Sequence, residues 1–351
     1  MTITTVPTVT TTAGALMRAE IGEQAGVVAS LLSSRRAVDA IAAEVGRRDI
    51  RCVLLAARGS SDHAALYAKY LVETVLGLPC GLASMSTATG YAAQPDLHGV
   101  LWVAISQSGG SPDLVAATAA AGEAGALTLV VTNAPASDLA GAALLHLDIA
   151  AGIERSVAAT KTYTAELTAL WLLVDAWAGR GGRRAGGLSD AVAAAAEVDV
   201  DRVVDRYRYA ERIVTTGRGF SYPTAREAAL KLMETCHVAA TAFSGADLLH
   251  GPVAHVDAMT PVIVVSSGGV GGRLLEPVLE VLGRHGAEVC LVGDRRWGAA
   301  GGLSVPVPEV AEELTPITQI VPLQRLALEL ALSRGLDPDR PRGLAKVTRT
   351  H

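Results

Sequence analysis

Two serine-rich loops, each at the end of a short apolar run, carry the clearest chemical signal in the sequence. Arg58–Asp62 follows the apolar run Cys52–Ala57, and Ser106–Pro112 ends the run Leu101–Ser106. Hydroxyl and backbone N–H groups at such a position can bind an anion, and a helix that begins at Pro112 would add its N-terminal dipole. Each hydrogen bond to a charged group contributes about 1.5–3 kcal/mol, so several together outweigh the dipole's ~0.3–2 kcal/mol. We therefore interpret the two loops as a phosphate cradle.

The alternative for either loop alone is an ordinary turn whose serine caps the next helix. Neither loop contains Gly-Lys-Ser/Thr or Gly-x-Gly-x-x-Gly, so a nucleotide is not the natural ligand. Two such loops at neighbouring strand ends favour the phosphate interpretation. A third segment, Glu154–Lys161, could close the same pocket, although by itself it is typical of a helix start capped by Ser156.

Three charged residues in the second half share one predicted helix face. Glu227, Lys231 and Glu234 are spaced i, i+4 and i+7, and such a trio is ordinarily a solvated stripe of ion pairs. The apolar neighbours Leu232 and Met233 could partly desolvate Glu234. Desolvation raises the pKa of a carboxyl group and would suit a general base.

Two further residues are weaker candidates. His250 stands in a Gly-Pro turn, where a histidine is usually structural or exposed. Lys346 is a lysine within an apolar part of the C-terminal tail, and a surface position is its ordinary interpretation. If buried, its amine could take part in carbonyl chemistry.

The elements that must position these residues alternate between short buried strands and longer helices, which predicts an α/β fold with parallel sheets. The predicted strands are Cys52–Ala57, Leu101–Ser106, Leu127–Thr132, Leu144–Ile149, Arg212–Thr216, Val262–Ser266 and Glu288–Val292. The predicted helices are Ser61–Leu76, Pro112–Ala121, Ser137–Ala143, Val157–Trp177, Ala191–Val198, Pro223–Cys236, Arg273–His285 and Ile317–Arg334. The last should be kinked or restarted at Pro322, because proline cannot donate a helical hydrogen bond.

The length of 351 residues suggests two domains. Ala178–Gly187 is rich in glycine and arginine and lacks apolar periodicity, as in a linker. We expect a disordered lead-in over 1–19, a first domain over 20–178, a linker over 179–190, a second domain over 191–334 and a tail over 335–351.

Composition excludes several functions. Half of the residues are hydrophobic and the mean hydropathy is +0.34, but no unbroken apolar run reaches the ~18 residues that a membrane span needs. An aromatic content of 4% and a net charge of −5 argue against nucleic acid as a partner. The four cysteines are widely spaced, so we expect reduced thiols, no metal site and, without a secretory signal, a cytoplasmic protein.

Together these segments resemble the double sugar-isomerase (SIS) family, which includes the isomerase half of glucosamine-6-phosphate synthases. The similarity runs in colinear order over about residues 20–351. The first-domain motifs are Arg58–His63, Ile105–Asp113 and Val157–Lys161; the second-domain and tail motifs are Gly217–Pro223, Glu227–Glu234, His250–Pro252 and Asp337–Lys346. The resemblance implies two SIS domains, each a parallel sheet flanked by helices in a three-layer, flavodoxin-like α/β/α arrangement.

The resemblance also implies that the first domain binds the phosphate and that the second domain and the tail carry the proton chemistry, with specific residue roles. Glu234 would move a proton between C1 and C2 of the sugar with Lys231 beside it, His250 from a neighbouring subunit would open the ring, and Lys346 would meet the carbonyl or imine end. The implied phosphate-binding residues are Ser60, Ser61, Ser106, Gln107, Ser108 and Ser111. The implied further substrate contacts are Val157 and Ala159. No cofactor or metal is implied, and a shared site implies a homodimer.

Two departures bear on the subfamily. The synthases carry an N-terminal glutaminase domain with a nucleophilic cysteine, whereas this sequence begins Met1-Thr2, so we expect no glutamine hydrolysis. The two cradle motifs and the ending Gly343–Thr350 look more like the stand-alone glucosamine-6-phosphate deaminases of the SIS type. Leu249 also stands where the synthases have lysine. We expect deamination of glucosamine 6-phosphate, with a fructosamine-6-phosphate deglycase, another sugar-phosphate isomerase or a non-catalytic sugar-phosphate sensor as alternatives.

Overall fold

The computed structural model describes residues 12–294 and 302–346, which form two βα halves. The strands are β1 (Cys52–Ala56), β2 (Cys80–Leu82), β3 (Val100–Ser106), β4 (Leu127–Thr132), β5 (Leu145–Asp148), β6 (Arg212–Gly217), β7 (Ala239–Ser244), β8 (Pro261–Ser266), β9 (Glu288–Gly293) and β10 (Leu303–Pro306). The helices of the first half are α1 (Ala15–Ser33), α2 (Arg35–Gly46), α3 (Ser60–Leu71), α4 (Met85–Thr89), α5 (Pro112–Glu123), α6 (Asp138–Gly141) and α7 (Lys161–Trp177). Those of the second half are α8 (Leu188–Ala196), α9 (Asp201–Tyr207), α10 (Ser221–Cys236), α11 (Gly245–Leu249), α12 (Val270–Arg273), α13 (Glu276–Arg284) and α14 (Thr315–Ser333).

The two sheets have the same topology. The first has the order β2-β1-β3-β4-β5 and the second, read from its other edge, has the order β7-β6-β8-β9-β10. All pairings are parallel. The strand order reverses between β1 and β3 and again between β6 and β8, and ligands of open α/β sheets bind at such a point. The topology therefore places the loops after β1 and β3 side by side.

Helices α7 and α14 form the centre of the molecule. Nearly every residue of each is buried, as expected for helices that are enclosed on several sides. Helix α14 packs against α10, α8 and α9, and α1 packs against both α7 and α8, so α1 contacts elements of both halves. One hydrophobic core cluster accordingly extends through both halves. Among the described residues, no helix combines the length and apolar character that a membrane span requires.

The prediction of two parallel sheets flanked by helices is confirmed, and the predicted strands correspond to seven of the observed ones. The edge strands β2, β7 and β10 were not predicted. Cys80–Leu82 has only three residues, and Ala239–Ser244 has little β-branched content. Such segments lack a sequence signal because neighbouring strands, rather than their own propensity, order them.

Several predicted boundaries differ from the structure. Helix α1 begins at Ala15, so residues 15–19, predicted to be disordered, are helical, and Met17 is buried; residues 1–11 of that lead-in lie outside the described residues. Helix α8 begins at Leu188, within the predicted linker. Helix α7 begins at Lys161 rather than at residue 157. The domain boundaries themselves stay a prediction, as does the end of the tail, because residues 347–351 lie outside the described part.

The last helix is not restarted at Pro322, one of the two outcomes predicted there; the other, a kink, stays a prediction. Helix α14 runs from Thr315 to Ser333 with Pro322 inside it. A proline in a helix interior removes one backbone hydrogen bond. The tertiary contacts of α14 with α8, α9 and α10 compensate for that loss, which a local rule cannot foresee.

Candidate functional site

The serine loop after β3 is held together by its own hydroxyl groups. Ser106 is the last residue of β3, and its Oγ accepts a hydrogen bond from the N–H of Gly109 at 3.1 Å. Ser108 Oγ accepts one from the N–H of Gly110 at 3.3 Å. Ser111 directly precedes α5. The loop thus presents three serines around one turn at the carboxyl end of a central strand.

The two cradle loops are joined by an ion pair. Arg58 Nη2, in the loop after β1, lies 2.9 Å from Asp113 Oδ2 in the first turn of α5. Gln107 lines a neighbouring surface cavity of about 530 Å³ together with Asn133 and Glu154. The predicted phosphate-binding residues therefore lie at the adjoining ends of β1 and β3, as the sequence indicated.

The first two residues of α3 each contact a buried carboxyl group. Ser60 Oγ donates a hydrogen bond to Glu227 Oε1 at 2.8 Å, which connects the first-half loop to α10 of the second half. Ser61 Oγ lies 2.8 Å from Glu166 Oε1 on α7. The preceding Gly59 has a φ of 56°, a left-handed conformation that glycine adopts without strain.

A buried charge network continues along α10. Lys231 Nζ lies 3.3 Å from Glu227 Oε1, donates a hydrogen bond to Ser60 Oγ at 3.2 Å, and donates another to Glu234 Oε2 at 2.5 Å. His63 Nδ1 lies 2.7 Å from the second oxygen of Glu227. Glu227 and Lys231 are fully buried, whereas 22% of the Glu234 side chain is exposed. The solvated stripe, the ordinary interpretation of this spacing, is therefore wrong for its first two members.

The partners in this network decide its charge state. Burial by itself would raise the pKa of Glu227, but the Lys231 ammonium and the His63 contact prevail and hold that pKa below its ordinary value. Burial would lower the pKa of Lys231, but Glu227 and Glu234 prevail and raise it. Both residues are thus ionised at neutral pH, and loss of one partner would leave an uncompensated buried charge at a cost of about 3–5 kcal/mol.

Glu166 is in the opposite electrostatic situation. Burial, together with repulsion from Glu154 and Glu227, raises its pKa to about 8 against the opposing effect of its contact with Ser61. Its Oε2 has no hydrogen-bond partner among the described residues. The carboxyl group is therefore mostly protonated at pH 7 and can donate its proton to Ser61 Oγ, which leaves the Ser61 proton available to another acceptor.

The tail places Lys346 against the loop that precedes α7. Lys346 Nζ donates hydrogen bonds to the carbonyl oxygen of Ser156 at 2.6 Å and to Glu154 Oε2 at 3.1 Å. Glu154 Oε1 also accepts a hydrogen bond from the N–H of Thr160 at 2.9 Å and one from that of Thr162 at 3.2 Å. Val157 and Ala159, the predicted substrate contacts, lie half-buried between these anchors.

His250 is separate from this cluster within one chain. It is exposed and follows α11, beyond the end of the edge strand β7. Within the described ranges, no hydrogen bond or ion pair joins it to Glu227, Lys231 or Glu234. A single chain therefore joins Ser60 to Lys231 and Glu234, and leaves His250 outside their network.

Comparison with known proteins identifies the family. The family model for the SIS domain matches residues 48–176 and 207–334, one match in each half of the chain. The chain belongs to the SIS-domain family. Each matched segment contains all five strands of one of the two sheets. The sequence resemblance is thereby confirmed.

Individual relatives agree with this assignment. Glutamine–fructose-6-phosphate aminotransferase (isomerizing) of Pseudomonas putida is 34% identical over 357 residues, covering 94% of this chain and 58% of the relative. The chain thus spans little more than half of that protein. Among solved structures, a candidate phosphosugar isomerase from Silicibacter pomeroyi DSS-3 is 37% identical with a TM-score of 0.86, covering 92% of this chain and 99% of the other. The C-terminal domain of glucosamine-fructose-6-phosphate aminotransferase from Francisella tularensis is 25% identical with a TM-score of 0.83, covering 93% and 98%.

Three residues that organise the two SIS domains around the site were not singled out from the sequence. His63 ends the motif Arg58–His63, but no role was predicted for its side chain. Glu154 was noted only as part of a closing segment. Glu166 lies within the buried helix α7, which also contains Asp175, and a carboxyl group in such a helix is the signal that could have indicated it.

Proposed function

We propose that this SIS protein converts glucosamine 6-phosphate and water to fructose 6-phosphate and ammonia. In the open-chain sugar, the C2 proton is removed and returned to C1, and a proton passes from the C2 ammonium group to O1. The aldehyde carbon thereby becomes a hydroxymethyl group and C2 becomes an iminium carbon. Water then adds to C2, and ammonia leaves as the ketone forms. The sugar's own carbonyl and amine provide the electron sink for this sequence.

The serine loops receive the phosphate in this proposal. Ser106, Ser108 and Ser111 surround the turn after β3, with Gln107 beside them, and Ser60 and Ser61 approach from the end of β1. Hydrogen bonds to a dianionic phosphate are stronger than those between neutral groups. A protonated Glu166 supports the role of Ser61, because the Glu166 carboxyl O–H can donate to Ser61 Oγ. The hydroxyl proton of Ser61 is then free to point to the phosphate.

Glu234 is the proposed base that moves the proton between C2 and C1. It lies at the partly exposed end of the buried network, where a substrate can reach it. Lys231 is a positioning residue, since its fully buried ammonium contacts Glu234 and Ser60. One observation carries the proposal: Ser60, Lys231 and Glu234 form a continuous hydrogen-bonded chain, which fixes the distance between the phosphate site and the base.

The remaining two roles are assigned to the tail and to a second copy of the chain. Lys346 of the tail contacts the loop that carries Val157 and Ala159, and we place it beside the carbonyl or imine end of the sugar. His250 of the partner subunit would open the pyranose ring, so the proposed active protein is a homodimer. The separation of His250 from the Glu234 network within one chain supports this assignment.

The proposal is tested by ammonia release from glucosamine 6-phosphate with purified Glu234→Gln. Since proton transfer by a positioned group contributes about 10²–10⁴-fold, we expect kcat to fall by at least that lower factor while substrate still binds. The matched control is Glu197→Gln, an exposed carboxylate at the end of α8, which should retain full activity. Undiminished ammonia release by the Glu234 variant contradicts the role of Glu234.

A double substitution, Ser106→Ala with Ser108→Ala, tests the phosphate site. We expect KM to rise at least about tenfold with a smaller change in kcat, because two charge-assisted hydrogen bonds are lost. An unchanged KM removes the phosphate role of these serines.

A parallel assay with a fructosamine 6-phosphate and with fructose 6-phosphate separates deamination from deglycation and simple isomerisation. If the protein turns over none of these sugar phosphates, a non-catalytic sensor is favoured.

A further inference from the structure

The second half of the molecule contains a counterpart of the serine loop after β3. Strand β8 occupies the position in its sheet that β3 occupies in the first, and it ends at Ser266 as β3 ends at Ser106. The segment Ser267–Gly271 follows β8, includes the first two residues of the short helix α12, and lies beside the loop after β6, at the second reversal of strand order. We call Ser267–Gly271 the second cradle.

A carboxylate of the same chain is bound in the second cradle. Ser267 Oγ donates a hydrogen bond to Glu312 Oε1 at 2.8 Å, and the N–H of Gly271 donates another to the same oxygen at 2.7 Å. The N–H of Val270 donates to Glu312 Oε2 at 2.9 Å. Both carboxylate oxygens are therefore coordinated by the cradle, with donors of the kind that bind oxyanions.

The glycines of the loop make room for this carboxylate. A Cβ atom at Gly269 would lie 2.1 Å from Glu312 Oε2. A Cβ atom at Gly271 would lie 2.6 Å from the backbone oxygen of Arg218 and 3.2 Å from Glu312 Oε1. The loop sequence thus requires glycine at the positions that approach the anion and the neighbouring strand end.

Space for a larger ligand adjoins the carboxylate. A cavity of about 240 Å³ lies beside the loop, and Glu312, Glu309 and Gln319 are among its lining residues. Gln319 is only 1% exposed and donates to the carbonyl oxygen of Ser266 at 2.9 Å, while its Oε1 has no partner in the part of the chain that the structure describes. An oxyanion in place of the Glu312 carboxylate would have this cavity beside it.

We propose that the second cradle is an oxyanion-binding site whose resident ligand is the Glu312 carboxylate, and that removing this carboxylate opens the site to small oxyanions such as formate and inorganic phosphate. Residues 312–314 form the turn that leads into α14, so the chain itself supplies the anion and fixes the loop to the central helix. The two cradles then differ in the source of their anion. The first is proposed to bind the substrate phosphate, and the second is filled by a side chain.

The experiment uses Glu312→Ala in the Ser106→Ala/Ser108→Ala protein, so that the first cradle does not contribute. Thermal unfolding is followed in about 50 mM sodium formate, sodium phosphate and sodium chloride at matched ionic strength. We expect the Glu312 substitution to lower Tm by about 5 °C in chloride, and formate to restore at least half of the loss. Calorimetric titration with inorganic phosphate should show one site per chain that the parent double variant lacks.

Two controls separate a bound ion from general salt effects, since phosphate stabilises many proteins by exclusion from their surface. Glu312→Gln keeps the side chain in the cradle, so its Tm should not respond to formate beyond the response of the parent. Glu309→Ala removes an exposed carboxylate from the same cavity wall and should gain neither a phosphate site nor a formate response. If Glu312→Ala yields little folded protein, its refolding yield from urea provides the readout, which formate should raise and chloride should not.

The proposal is overturned if Glu312→Ala shows neither a formate-specific recovery nor an added phosphate site. It is also overturned if Glu312→Gln and Glu309→Ala respond as strongly as Glu312→Ala does. These outcomes do not depend on the function proposed for the first cradle, because every protein compared carries the same Ser106 and Ser108 substitutions. Failure of the first-cradle proposal would instead be seen as an unchanged KM in the double serine variant.

Discussion

Two buried carboxyl groups near the same serines differ because of their partners. Glu227 lies beside Lys231 and His63, which lower its pKa despite complete burial. Glu166 has no cationic partner within the part of the chain that the structure describes, and burial raises its pKa to about 8. One group is thus a fixed negative charge that holds Lys231 in place, while the other is a neutral hydrogen-bonding group at neutral pH. The environment, rather than the residue type, assigns these two states.

The pKa of Glu166 makes stability depend on pH. Because the pKa is raised from 4.5 in the ordinary state to about 8 in the folded state, this contribution to stability is fully present below pH 4.5 and is lost as pH rises to about 8. Glu166→Gln cannot titrate. We therefore expect the free energy of unfolding of the wild type to fall relative to that of the variant by about 1 kcal/mol per pH unit over this range. Urea unfolding of both proteins at a series of pH values measures this difference in the free energy of unfolding.

The control for this measurement is Glu123→Gln, an exposed carboxyl group at the end of α5. Its free energy of unfolding should run parallel to that of the wild type at every pH. A constant difference between the wild type and the Glu166 variant would show that Glu166 does not carry the raised pKa.

At the level of elements, the two ends of the described chain stabilise each other. Asp339 Oδ2 accepts a hydrogen bond from the N–H of Leu16, and Oδ1 accepts one from that of Met17, both at 2.9 Å. Asp337 accepts another from the N–H of Gly14 at 3.1 Å. The tail thereby supplies the N-terminal cap of α1, a function that a side chain next to the helix usually serves. This contact also anchors the segment that leads to Lys346.

Asp339→Ala should weaken both functions of the tail. Loss of the cap is expected to cost about 1 kcal/mol of stability. On the proposed function, kcat for ammonia release should also fall, because the segment that carries Lys346 loses an anchor. Arg340→Ala provides the matched control, since this side chain is exposed on the same segment. A stable variant with wild-type kcat would separate the helix cap from the placement of Lys346.

For the whole molecule, the proposed function assembles each active site from two chains. The proposal takes Glu234 from one subunit and His250 from its partner. A heterodimer of a Glu234→Gln chain and a His250→Ala chain then contains one intact site, although each parent homodimer has none. We expect such a heterodimer, isolated with two affinity tags, to regain about half of the wild-type activity per dimer.

A second heterodimer serves as the control for this complementation. A wild-type chain paired with a chain that carries both substitutions has no intact site if the two residues act across the interface. If they act within one chain, this control is active and the first heterodimer is not. Ammonia release by the two preparations therefore decides the arrangement.

Much of the fold follows from the sequence alone. Short buried runs after Arg51 and again after Glu211, separated by helical patterns, determine two parallel sheets, and the serine loops fall at strand ends for the same reason. The spacing of Glu227, Lys231 and Glu234 correctly placed them on one helix. Local patterns of this kind reflect the periods of strands and helices, which a sequence shows directly.

The tertiary structure decided the rest, because burial and partnership depend on elements distant in the chain. Helix α10 packs against α3 and α14, and this packing turns an expected solvated stripe into a buried network joined to Ser60. The cap on α1 comes from residues more than 300 positions away. The anion in the second cradle likewise comes from Glu312, 45 positions after Ser267. Sequence periodicity determined where chemical groups stand along each element, and only packing determined which charges meet.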